Sequence, residues 1–119
     1  MLDMENLIFQ IAKLNILSKL VGKTFEYASK IIPIKRIFED KYIIAFNHPK
    51  PLYKIHILLI PKKEIKDITE LYKYPQYSNA ILKAINVIKD KLNTNDLHIV
   101  TNIGKYQEIK QLHFHLYKD

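Results

Sequence analysis

The segment Gln111-Leu112-His113-Phe114-His115-Leu116 alternates polar and apolar side chains at every step. A helix scatters such a pattern around its surface, whereas a strand sorts it into two faces. Gln111, His113 and His115 then share one face, and Leu112, Phe114 and Leu116 share the other, which meets a core. This strand spans Lys110–Tyr117, and similar short runs stand at Ile34–Phe38, Lys41–Phe46, Ile55–Ile60 and Leu97–Thr101. Glu39-Asp40 suits a tight hairpin turn. Asp3 is a candidate cap for a helix over Met4–Leu20, and Phe25–Ile31 reads as a second short helix ended near Pro33. Ile68–Leu71 fits one helical turn, and Ser78–Leu92 fits a helix with Ile81, Leu82, Ile85, Ile88 and Leu92 on one face. The order α–β–β–β–α–β–β predicts an α+β fold with an antiparallel sheet.

A chain of 119 residues fits one domain, and no Gly- or Ser-rich linker divides it. Cysteine is absent, which excludes disulfides, thiolate metal sites and a Cys nucleophile. No apolar run approaches the roughly 18 residues needed to span a bilayer. The start Met1-Leu2-Asp3-Met4-Glu5 is acidic where a signal peptide is basic, so the expectation is a soluble cytoplasmic protein with no membrane partner. The net charge of +7 favours anionic partners. Yet Arg36 is the sole arginine, and base-specific readout relies on Arg, so specific nucleic-acid recognition is disfavoured. The lysines are spread along the chain as on a solvated surface, with Lys62-Lys63 able to steer an anionic substrate.

The histidines carry the chemistry. Same-face neighbours on a strand stand about 6.5–7 Å apart, a spacing at which two imidazoles touch one tetrahedral phosphate. A neutral imidazole is a competent nucleophile near pH 7, and a neighbour can stabilise charge on phosphoryl oxygens. His113 and His115 therefore suit attack on phosphorus without a metal or cofactor. The same alternation also serves an edge strand that shows both rings to water. A third reading is a metal site from His113, His115 and His56, although no carboxylate stands at an obvious partner position. His98 shares a strand face with Val100 and Asn102 and reads as a partly exposed strand residue, and Tyr72, Tyr74 and Tyr77 as packing around Pro75.

Gln111-Leu112-His113-Phe114-His115-Leu116-Tyr117 resembles the signature strand of the histidine triad (HIT) superfamily, nearest to its small nucleoside phosphoramidate hydrolases. Upstream, Ile32-Pro33 through Glu39-Asp40, Ala45-Phe46 with a Pro-containing loop, His56 through Ile60-Pro61-Lys62-Lys63, and Asn102, Gly104 and Gln107 are similar to further family motifs. The resemblance covers roughly residues 25–119. It divides the chain into an N-terminal helical extension, 1–23, and a HIT-like domain, 24–119.

The resemblance implies a five-stranded antiparallel sheet, paired in a homodimer into ten strands. It implies a hydrolase or transferase acting at the α-phosphate of a purine nucleotide derivative through a covalent nucleotidyl-histidine. His113 would be the nucleophile, His115 would hydrogen-bond the phosphoryl oxygens, and His56 would join their network. Asn102 would touch the phosphate, while Phe46 and the following Asn47-His48 loop would form the nucleoside pocket with Gln107 and Glu108 close by. The chain departs from the family in holding Gln111 at the first triad position, Glu108 in place of a small hydroxyl residue and His48 at the ribose-binding position. It also has Glu64 where a histidine often stands, and it ends at Asp119 soon after the triad. These departures imply weakened chemistry or, alternatively, a nucleotide-binding regulatory module.

Overall fold

The computed structural model describes residues 36–48, 51–107 and 110–119. The expected helices at Met4–Leu20 and Phe25–Ile31, the 1–23 extension and Glu108 lie outside that set. Strand β1 is Arg36–Glu39, β2 Ile43–Asn47 and β3 Ile55–Pro61. A 3₁₀ segment, Ile68–Lys73, leads into helix α1, Pro75–Lys91. Then come β4, His98–Val100, a 3₁₀ turn at Gly104–Tyr106, and β5, Phe114–Lys118. The strands form one antiparallel sheet in the order β1-β2-β3-β5-β4, so the fold is α+β as expected.

Local chemistry sets the boundaries. The Asp40 carboxylate accepts from the Tyr42 and Ile43 main-chain N–H groups at 2.7 and 2.9 Å, which closes the β1–β2 turn. Helix α1 begins at Pro75 and not at Ser78, because proline at the first helical position has its φ already set and lacks a donor that the helix could not use. The Asp67 side chain caps the 3₁₀ segment by accepting from Thr69 N at 2.8 Å. Gly104 has φ of +68°, a conformation that favours glycine.

One face of the sheet carries Ile43, Ala45, Ile57, Leu59, Phe114 and Leu116, packed with Ala80, Ile81, Ala84 and Ile88 of α1. The buried stripe of α1 is thus centred differently from the one expected. Leu82 is 68% exposed, and the small Ala80 and Ala84 take the sheet-facing positions, where they let the helix approach closely. Among the described residues, no helix is long and apolar enough to cross a membrane.

The opposite face holds the chemistry. Register places Phe46 across from Leu58, Leu58 across from His115, and His56 across from Tyr117. Edge strand β4 sets Val100 beside His115 and His98 beside Tyr117. The approach to β5 is anchored without ladder pairing. Leu112 N donates to Ile65 O at 2.7 Å, and Thr101 Oγ1 donates to His113 O at 2.7 Å. These two bonds hold the main chain on both sides of the His113 ring.

Candidate active site

His113 sits where the chain enters β5, and its ring Nδ1 lies 2.7 Å from the Gln111 carbonyl. A carbonyl only accepts, so in the neutral form of the ring Nδ1 carries the proton and Nε2 keeps its lone pair. The opposite tautomer holds at His115. Leu52 N–H donates to His56 Nδ1 at 3.3 Å, which leaves the His56 proton on Nε2. His56 Nε2 then donates to His115 Nδ1 at 3.0 Å, and His115 presents Nε2–H. The strand pair thus offers one nucleophilic nitrogen and one donor, with ring centroids 5.4 Å apart.

These rings face an open cavity of about 410 Å³. His48, His56, His113, His115 and Asn102 line it together with Leu52, Tyr53, Val100, Tyr106 and Tyr117. His113 is 9% exposed and His56 5%, so the imidazoles open onto the cavity and not onto bulk water. Among the described residues no carboxylate lines it. Burial, followed by the neighbouring His113, His56 and His48, pushes the His115 pKa down to about 4. Burial also lowers that of His56. Both rings are therefore neutral at pH 7.

Other expected site residues take different places. Gln111 is 1% exposed and is not part of this cavity's lining. Its side chain accepts from Ile65 N at 3.3 Å and donates to Pro61 O and Lys63 O at 3.3 and 2.9 Å, clamping β5 to the segment after β3. Phe46 is fully buried in the sheet and outside the cavity lining, and the exposed Asn47 falls on the other pleat from His48. His48 stacks on His56 with centroids 4.2 Å apart and 18° between planes. Gln107 is buried and donates to Lys66 O at 2.8 Å. Lys62 pairs with Glu39 at 2.7 Å, and Lys63 lies over the Tyr74 ring, so neither lines the cavity. The three imidazoles that crowd together are His48, His56 and His115, not the expected set with His113.

Sequence reading did not single out Tyr53, Tyr106 and Tyr117 as cavity residues. Tyr117 was accessible in principle, because it follows His115 by two positions on the same pleat. It stacks on Tyr53 at 4.0 Å, and exposed His98 covers it at 4.7 Å outside the cavity lining.

The sequence pattern of the HIT domain matches residues 29–118. An uncharacterized HIT-like protein of Buchnera aphidicola is 35% identical over 91 residues, covering 72% of this chain and 81% of the relative. Among solved structures, a HIT family hydrolase from Clostridium thermocellum superposes with a TM-score of 0.71 at 27% identity, over 80% of this chain and 87% of the other. A histidine triad protein from Clostridium difficile gives 0.70 at 28% identity, over 78% and 85% of the two chains.

The lowered His115 and His56 values fix a sign. Between about pH 4 and 6.5 the unfolded chain binds more protons than the folded one, so stability rises with pH in that window. Thermal melts should therefore show Tm falling as pH drops from 6.5 towards 4, and His115→Gln should flatten that slope. An equal slope in wild type and variant contradicts the assignment.

Proposed function

The chain belongs to the HIT domain family, and from that premise we propose that it hydrolyses a purine nucleotide derivative at the α-phosphorus through a covalent intermediate on His113. The single observation that carries this reading is the 2.7 Å bond from His113 Nδ1 to the Gln111 carbonyl, which leaves Nε2 free to attack. Phosphorus bonds to Nε2, and the bond to the leaving group breaks with its electron pair. The leaving group takes its proton from water in the open cavity. His115 Nε2–H donates to a phosphoryl oxygen without giving up its proton, and Asn102 adds a second polar contact. Water then attacks phosphorus and releases a proton to solvent, and the P–N electron pair returns to Nε2.

Gln111 enters this scheme through its main-chain carbonyl, which any residue at the first triad position supplies. Its side chain clamps β5 in place, so the departure from histidine leaves the nucleophile's partner intact. Two rings of the cluster, His56 and His115, act as a line of neutral donors and acceptors, for which no metal is needed. The adenosine or guanosine part is held by apolar and aromatic contact, a mode that accepts either purine.

A homodimer is part of the proposal. Among the described residues strand β4 is a sheet edge with all three residues exposed, and Ile99 and Val100 are 50% and 37% exposed. An apolar edge of this kind is suited to pairing with a second copy, which extends the sheet to ten strands. Val100 lines the cavity, so pairing there places the partner beside the site.

Incubation of wild type with adenosine 5′-phosphoramidate should give turnover and a nucleotidyl adduct by intact mass. His113→Ala should abolish the adduct and lower kcat by at least ~10²-fold. Equal turnover in the variant contradicts the nucleophile, and tight AMP binding with no turnover favours a binding module. Ile99→Asp should shift the species seen by light scattering from dimer to monomer, and a monomeric wild type contradicts the pairing.

A further inference from the structure

Three of the five imidazoles crowd together beside the nucleophile. One ring nitrogen from each of His48, His56 and His115 lies within 4.8 Å of the other two. Two imidazole nitrogens on a tetrahedral zinc ion, with bonds of about 2.0–2.1 Å, stand about 3.4 Å apart. His56 Nε2 and His115 Nδ1 are already 3.0 Å apart and need to open by only a few tenths. The widest gap among the three nitrogens, at most 4.8 Å, has to close to about 3.4 Å to complete the set. The His48 main chain is held beside the cluster by the 2.8 Å bond from His48 N to His56 O, and its ring, stacked on His56 with 18° between planes, has to turn about its side-chain bonds to aim its in-plane lone pair at the ion.

The other two imidazoles have different places. The chain has no cysteine, so imidazole is the only borderline-soft ligand it offers. His113 Nδ1 is held by the Gln111 carbonyl and its Nε2 is the nitrogen assigned to attack on phosphorus, while His98 lies on Tyr117 outside the cavity. The cavity gives an entry path and room for water or another oxygen ligand in the fourth position.

We propose that His48, His56 and His115 form a capture site for a divalent transition-metal ion of the zinc class, adjacent to His113 and separate from it. The ion takes the place of the proton between His56 and His115. His56 changes tautomer, its proton moving from Nε2 to Nδ1, and the exposed Leu52 releases its 3.3 Å contact there. His115 keeps its proton on Nε2, so no proton is lost to solvent. The site goes beyond the proposed hydrolysis, which needs no ion, and it stands or falls on metal binding alone.

Cobalt(II) is the direct probe, because tetrahedral coordination gives it intense visible absorption. Titration of the full chain should saturate at one ion per chain, with elemental analysis after dialysis giving the same stoichiometry for zinc. His48→Gln and His115→Gln should each weaken binding at least ~10-fold, and His98→Gln should leave it unchanged. His115 is only partly buried, so its variant tests the set independently of packing around His48. Circular dichroism matching wild type qualifies each variant. Substoichiometric binding in wild type, or affinity that His48→Gln leaves intact, overturns the proposal.

Discussion

The bond from His113 Nδ1–H to the Gln111 carbonyl decides what this face of the protein can do. A hydrogen bond to a main-chain acceptor cannot be reversed by a change of rotamer or protonation at the partner, so it fixes the tautomer of the ring. It does so only if the main chain at 111–113 is itself immobile. Two bonds supply that, from Leu112 N to Ile65 O and from Thr101 Oγ1 to His113 O, and the Gln111 side chain adds three more to residues 61–65. Each contributes about 1 kcal/mol, and leaving any of these buried groups unpaired costs about 1–3 kcal/mol. The lone pair on Nε2 is therefore a consequence of how β5 is attached to the segment after β3.

The neighbouring rings work by the same rule with the opposite outcome. A main-chain donor, Leu52 N–H, sets His56, and His56 sets His115. Two tautomers of one residue type thus stand 5.4 Å apart at the start of β5, one able to attack and the other able to donate. Burial keeps His115 and His56 neutral at pH 7, which preserves this division of labour. The absence of carboxylates from the cavity lining, among the described residues, removes the repulsion that a phosphate would otherwise meet.

Much of the fold was legible because it rests on local signals. Strict alternation at 111–116 predicts which side chains share a face, and Leu112, Phe114 and Leu116 do meet the core while His113 and His115 meet the cavity. Asp40 and Pro75 are likewise local, although the role of proline as the first residue of α1 outweighed the later hydrophobic start. What was not legible depends on partners distant in sequence. Leu82 flanks the Ile81–Ile85–Ile88 stripe on one side as Ala80 and Ala84 do on the other, and only the way α1 seats on the sheet decides which flank is buried. Gln111 reads as a weakened triad member until its side chain is seen to bind residues 61–65. The stacking of His48 on His56 links a loop to a strand, so no spacing within either segment encodes it.

The chemistry of the site turns on where one proton sits. Nitrogen-15 NMR of histidine-labelled protein at pH 7 reads that position for each ring separately. The expected result is that the neutral His113 ring carries its proton on Nδ1, while His115 carries a proton on Nε2 and accepts at Nδ1. A His113 ring protonated on Nε2 would leave no lone pair facing the cavity and would contradict it.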